Sequence, residues 1–371
     1  MALSNAVRNV DSNSMNYNVD LNWSLSDVQK TIGMKPNGLK VFTCFHCGGG
    51  STMGYKLAGY NVIGGVEIDK QMMEVYRQNF HPSEALSFLM PIDKLCSDDS
   101  LLSRIPALDI LDGSPPCSTF SLAGVREEKW GKEFAFREGQ ATQILDDLFF
   151  QFIKLADKLK PKVVIAENVK GIIIGNAKGY VIAIKEALQK AGYKCQIFLL
   201  NAATMGVPQT RERVFVFGIR NDIFYRELSL DFNEKPITIK DAVEGLPACA
   251  YKELTKNANF LWQKTKPGEV FSKANLKYYN SGNWFTHRRA HPQRPSATLI
   301  ADGGLYHWAE PRLLNHLELT RCQTFPKDYN FMDMDPVYII GMSVPPFMMQ
   351  RIAIEILRQV FNIVPECAML G

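Results

Sequence analysis

Cys117 lies in the segment DGSPPCSTFS (Asp112 to Ser121), directly behind Pro115 and Pro116. Each proline holds its own φ near about −65°, so this loop presents its thiol with little freedom. An ordinary cysteine, with a pKa of roughly 8.5, is only a few per cent thiolate at neutral pH, yet it is intrinsically a strong nucleophile. A rigid loop thiol just past a strand end is therefore read as a nucleophile. A second reactive group is Glu167 in AENV (166 to 169), where a carboxylate ends a strongly apolar strand and must find a partner or a task. A third is the pair Arg211 and Arg213 in QTRER (209 to 213), which should share a face because side chains alternate along a strand. A fourth is FHCGGGSTMG (45 to 54), where Phe45, Gly48, Gly49 and Gly50 stand between a strand and a helix, a context in which glycines let a cofactor approach backbone amides. Glu67 follows Gly49 by eighteen residues, about the spacing at which an acidic side chain meets the ribose of a nucleoside cofactor. No lysine follows the glycines, which argues against a phosphate-gripping loop.

The elements that must position these groups alternate. Strands are expected at 40 to 45, 61 to 67, 107 to 112, 162 to 167, 194 to 200 and 213 to 219, with helices near 52 to 58, 70 to 79, 143 to 159 and 177 to 191. The third helix carries Ile144, Leu145, Leu148, Phe149, Phe152 and Leu155 at helical spacing. Near-continuous apolar strands separated by helices predict an α/β doubly wound, mostly parallel sheet. The last two strands, joined without a helix, predict an antiparallel hairpin at one edge. All four motifs fall at strand carboxyl ends, where such sheets bind ligands.

At 371 residues and 46% hydrophobic content, the chain can bury a large core. Its apolar runs are strand-length, far short of the roughly 18 to 20 residues that cross a bilayer, and its first residues lack the apolar segment of a signal peptide, so no membrane partner and a cytoplasmic location are expected. The eight cysteines show no framework spacing and are read as reduced, and the one CxxC (Cys44, Cys47) lacks a second pair to complete a zinc site, so no metal is expected. The net charge of +4 is unevenly spread. Residues 250 to 294 hold nine Lys or Arg against two Glu, a local +7, leaving −3 for the rest. This stretch, with Lys264, Lys266, Arg288 and Arg289, interleaves eight aromatic residues, which suits a polyanion with stackable faces.

Taken in order, GSPPCSTFS, ENV and QTRER, with RPSAT (294 to 298), LTRCQTFP (319 to 326) and GMSVPP (341 to 346), make the chain resemble a DNA cytosine-5 methyltransferase over roughly residues 40 to 220 and 290 to 360. The resemblance implies the S-adenosylmethionine-dependent methyltransferase fold and four segments: an N-terminal extension (1 to 37), a catalytic and cofactor-binding domain (38 to 220), a smaller target-recognition domain (221 to 310) and a hinge returning to the catalytic domain (311 to 371). It implies that Cys117 attacks C6 of a flipped-out cytosine, that Glu167 serves N3 and that Arg213 binds O2 with support from Arg211. S-adenosyl-L-methionine would be held by Phe45, Gly48, Gly49, Gly50, Glu67, Asp93, Pro115 and Ser343. Double-stranded DNA would be held by Ser121, Lys264, Lys266, Arg288 and Arg289, with residues 122 to 139 as a lid. A monomer of bacterial or phage origin, cytoplasmic or nucleoid-associated, with a separately acting restriction endonuclease as a potential partner, completes the expectation. The chain departs from the family pattern at Thr43 and Cys47, at Ser118 and at Met342, where the family has Asn. Two alternatives are a tRNA cytosine-5 methyltransferase, against which the large basic insertion stands, and a catalytically silent DNA-binding regulator, against which Cys117, Glu167 and Arg213 stand.

Overall fold

The computed structural model describes residues 20–28, 36–116, 133–134, 143–144, 148–174, 178–251, 253–301 and 304–364. Strands β1 (Lys40–Cys44), β2 (Asn61–Glu67), β3 (Ser87–Leu89), β4 (Ile110–Gly113) and β5 (Val163–Val169) are mutually parallel. With β6 (Tyr193–Asn201) and β7 (Glu212–Arg220) they form one sheet in the order β3, β2, β1, β4, β5, β7, β6. The expected edge hairpin is β6 and β7, and β7 runs antiparallel to both β5 and β6. The short edge strand β3 is absent from the sequence reading because three residues are too few to display an alternation.

Alternation across the pleat sends Val41, Ile110, Ile165, Phe215 and Phe217 to one apolar core and Phe42, Leu111, Val164, Val214 and Val216 to another on the opposite face. Helices α1 (Gly50–Leu57), α2 (Lys70–Phe80), α3 (Ile92–Ser97), α4 (Leu148–Leu159) and α5 (Lys178–Lys190) cover the two faces. The described part of the α4 helix begins at Leu148, whereas periodicity suggests a helix from residue 143. Upstream, Gln143–Ile144 is a two-residue strand antiparallel to Glu133–Phe134, so pairing with a distant segment overrides local helical spacing there.

Beyond the sheet, α6 (Lys256–Lys264) and α7 (Phe271–Tyr279) enclose a small core of Ala258, Leu261, Phe271, Ala274 and Tyr306. Three more helices, α8 (His316–Cys322), α9 (Pro336–Met342) and α10 (Pro346–Gln359), return the chain to the sheet. Proline at the start of α10 forfeits no helical hydrogen bond, since the first N–H groups have no partner in any case. Every residue of α10 from Pro346 to Leu357 is buried, and each of its large apolar side chains contributes about 1.5–3 kcal/mol. The run Pro336–Gln359 is, among the described residues, long and apolar enough to cross a bilayer, but 78% of its apolar window is buried inside the protein, as in the core helix of a globular fold. The α1 helix meets α10 through Gly50 and Gly54, spaced one turn apart: a Cβ on Gly50 would strike the Val344 carbonyl, and one on Gly54 would lie 2.7 Å from the Pro346 carbonyl. Trp23 packs against Phe347 and donates through Nε1 to the Thr324 carbonyl (3.0 Å), while Asp328 accepts from Ser24 Oγ and from the Leu25 and Ser26 amides. The described part of the N-terminal segment is thus tied to the C-terminal return.

Candidate functional site

The motifs converge at the carboxyl ends of β1, β2, β4 and β5. Leaving β1, the chain turns through Phe45 (φ 55°), Cys47 (φ 46°) and Gly49 (φ 76°), so two residues with side chains occupy the left-handed region, at a cost on the order of 1–3 kcal/mol each. Packing fixes this shape. A Cβ on Gly48 would strike Ile339, and the Gly48 carbonyl accepts from the Tyr329 hydroxyl at 2.7 Å. A Cβ on Gly49 would strike Phe80, so glycine is required there both by space and by its positive φ. The three glycines therefore seat the loop between α2 and the C-terminal return, a packing role that the sequence reading gave less weight than close approach of a cofactor.

Glu67 is 7% exposed at the end of β2. Its carboxylate accepts from the Cys47 amide (3.1 Å), the Ile68 amide (2.9 Å) and the Asp69 amide (3.1 Å). Burial raises its pKa and these N–H groups hold it back down. His46 stacks on Tyr76 with ring centroids 3.8 Å apart, and burial lowers its pKa to about 4, so the imidazole is neutral at pH 7. Burial also pushes the Cys47 thiol up to about 12 and the Cys44 thiol well above its ordinary value, which makes both inert at neutral pH.

A cleft opens beside this loop, lined among others by Phe45, Ser51, Asp112, Ser114, Met342 and Ser343. Ser343 is buried and its hydroxyl donates to the Ile339 carbonyl (2.7 Å), whereas Met342 is exposed. Asp93 is exposed in the first turn of α3 and lies outside this lining, because the register of that helix turns Ile92 inward instead.

Glu167 and Arg213 are brought together by strand pairing. In the antiparallel register Glu167 faces Phe215, which makes Arg213 its diagonal neighbour on the same face, and Arg213 Nε donates to Glu167 Oε1 at 3.0 Å. The next residue, Asn168, was not singled out from the sequence. It is 3% exposed, donates through Nδ2 to the Pro115 carbonyl (3.1 Å), and so ties the prolines that precede Cys117 to the strand carrying Glu167. A polar residue at an otherwise apolar strand end was the available signal. Cys117, Ser118 and Ser121 lie outside the described residues, as does most of the expected lid.

Arg211 does not share the environment of Arg213. It is 2% exposed and donates to the Leu299 carbonyl (2.9 Å), the Gly341 carbonyl (3.0 Å) and the Ser343 carbonyl (3.1 Å). Gln209 and Gln323, both fully buried, extend the network: Gln209 accepts from the Leu299 amide and donates to Gln323, which donates to the Ser343 carbonyl. The expectation that both arginines face one pocket is thereby corrected. Arg211 precedes β7, so strand alternation does not govern it, and its two terminal nitrogens are committed to backbone carbonyls.

The basic stretch also divides. Lys264 and Lys266 are exposed, with Lys264 Nζ 5.7 Å above the Phe260 ring and 5.8 Å above the Tyr278 ring. Arg288 is half-buried and donates to the Gly268 carbonyl. Arg289, expected on a DNA surface, is instead a strut: it stacks 3.7 Å over Trp262 and donates to the Trp308, Trp262 and Thr265 carbonyls. Its guanidinium is used up within the small core, which charge counting along a sequence could not reveal.

The family model for the C-5 cytosine-specific DNA methylase matches residues 39–358. The type II methyltransferase M1.HphI of Haemophilus parahaemolyticus is 30% identical over 339 residues, covering 86% of each chain. The type II methyltransferase M.BbvI of Brevibacillus brevis is 30% identical over 305 residues, covering 76% of this chain and 77% of its own. Among solved structures, a protein described as a DNA modification methyltransferase from an E. coli prophage superposes with a TM-score of 0.64 at 22% identity, over 88% of this chain and 100% of its own, a likeness of fold.

Proposed function

Because the chain belongs to the C-5 cytosine-specific DNA methylase family, we propose that it transfers a methyl group from S-adenosylmethionine to C5 of cytosine within a specific double-stranded DNA sequence. The observation that carries the reading is the Glu167–Arg213 pair at 3.0 Å, with the adjacent Asn168 holding Pro115 two residues before Cys117. A fixed acid–cation pair, tied through Asn168 to the proline that precedes the Cys117 segment, supports this reading.

The cleft suits the cofactor by its donor set. Phe45 and Met342 offer apolar surface and Asp112 places a carboxylate in the lining, while Glu67, which lies behind the lining residue Cys47, meets only backbone amides and keeps acceptor capacity for a ribose diol. When bound, S-adenosylmethionine supplies the methyl group as an electrophile. The protein's part is to make C5 of cytosine nucleophilic. The Cys117 thiolate bonds to C6, Glu167 holds the proton that N3 gains as electron density moves into the ring, and Arg213 orients Glu167 and meets O2. Asn168 keeps the cysteine loop in register with Glu167. Because C6 is hidden in a stacked duplex, the base must leave the helix to reach these groups. Loss of the C5 proton then expels the thiolate and regenerates the enzyme.

The test is to express the protein in cells that lack 5-methylcytosine and sequence their DNA for it. Modification at one defined sequence is expected, and DNA without 5-methylcytosine would refute the reading. For the DNA contact, Lys264 and Lys266, both exposed, carry the proposal. Replacing both by Ala is expected to weaken duplex binding and reduce the slope of log affinity against log salt by up to about two. An unchanged slope would assign both lysines to ordinary solvated surface.

A further inference from the structure

The cleft contains a carboxylate whose charge no described cation balances. Asp112 is 4% exposed on β4, where it pairs in register with Thr43 of the neighbouring β1. Its Oδ1 accepts from the Tyr55 hydroxyl at 3.1 Å, and the Ser51 hydroxyl is a second donor. The ionisable groups that face it are Tyr55 from α1, Cys44 from β1, Tyr76 from α2 and Glu167 from β5. Burial keeps Cys44 and both tyrosines protonated at neutral pH, and Glu167 is an acid. From the C-terminal return the cleft receives Met342, Ser343 and Val344, none of them charged. Among the described residues no Lys, Arg or His forms an ion pair with Asp112.

A buried carboxylate without a cation is costly, and burial, with a smaller push from Glu167, raises its pKa to about 7. Asparagine would accept the same Tyr55 bond with no charge to desolvate, so the acid is a poor choice for packing and a functional candidate. The cationic partner must then come from whatever fills the cleft. S-adenosylmethionine carries two positive centres, its sulfonium and its ammonium.

We infer that Asp112 is a further cofactor-binding residue, whose carboxylate balances the positive charge of S-adenosylmethionine. This rests on the cofactor assignment made above. Cofactor affinity should then follow Asp112 ionisation. The carboxylate form is the binding form, so affinity rises with pH through the region near 7. His46, neutral well below this range, adds nothing to that dependence.

The experiment is calorimetric titration of wild type and Asp112→Asn with S-adenosylmethionine and with S-adenosylhomocysteine, whose sulfur is uncharged, at pH 6 and pH 7.5. Between these pH values the ionised fraction of a group near pKa 7 rises roughly eightfold, and wild-type affinity for S-adenosylmethionine should rise to match. Asp112→Asn should bind about tenfold more weakly at pH 7.5 with the pH dependence gone. Without ligand it should melt no lower than wild type, and its advantage should grow as pH rises from about 4 to about 7, because the folded wild type holds its proton more tightly than the unfolded chain. A larger loss for S-adenosylmethionine than for S-adenosylhomocysteine supports the inference through the sulfonium, and an equal loss supports it through the ammonium. Tyr55→Phe provides a second variant. Removing a donor to the carboxylate should move the wild-type pH dependence to higher pH, an effect that a packing role for Asp112 would not produce. Asp112→Asn binding within twofold of wild type at both pH values overturns the inference alone, whereas wild type that binds neither ligand overturns it together with the cofactor assignment.

Discussion

Replacing Cys117 by Ala is expected to lower methyl transfer by at least about 10⁴-fold while leaving duplex binding largely intact. In the proposed mechanism covalent attack at C6 converts C5 into a nucleophile, and neither Glu167 nor Arg213 can supply that electron pair. The change removes one thiol and adds no bulk or charge, so the sheet, the cleft and the basic surface should be undisturbed. Single-turnover transfer of a labelled methyl group gives the rate, and a filter-binding titration at fixed salt gives the affinity. A complementary measurement uses duplex with 5-fluorocytosine at the target. The fluorine cannot leave as a proton does, so wild type should remain attached to the DNA and Cys117→Ala should not. Methyl transfer by wild type without any trapped adduct on the fluorinated duplex would refute the covalent route.

Replacing Arg211 by Ala is expected to destabilise the protein by about 3–5 kcal/mol, read as a fall in the denaturation midpoint at constant slope. The guanidinium satisfies carbonyls at Leu299, Gly341 and Ser343 in a region closed to water. Ser343 keeps a second donor in Gln323, but the Leu299 and Gly341 carbonyls lose the side-chain bond that holds the two segments together. Lysine should not restore stability, since a single ammonium cannot span three carbonyls in the fixed fork that arginine provides. Because residues 342–344 line the cleft proposed for the cofactor, S-adenosylmethionine binding should weaken in parallel. A loss below about 1 kcal/mol would mean that water or neighbouring donors replace the guanidinium, and the strut role would fall.

Local chemistry explains how much of this molecule is legible from sequence. Apolar runs such as KVVIAEN and RVFVFGI specify strands because residues buried on both faces must be apolar throughout, and these strands lie within two residues of their expected bounds. The order of motifs placed Glu167 and Arg213 in one site, and the antiparallel β7 supplies the reason they meet. Spacing could not distinguish Arg211 from Arg213, or Arg288 from Arg289, because each pair differs in the carbonyls that surround it after folding. Charge density along residues 250 to 294 likewise counts the bonded strut Arg289 and an exposed lysine alike.

The sequence by itself determined the sheet class and the family, since each depends on residue type and near-neighbour spacing. Only the tertiary structure decided which polar groups remain free to meet a ligand. That depends on long-range partners: Asn168 reaches Pro115 across 53 positions, Arg211 reaches Ser343 across 132, and Asp112 acquires its surroundings from two neighbouring strands and two helices. A buried polar group is defined by its partners and by the water it has lost, and neither is written in the order of residues.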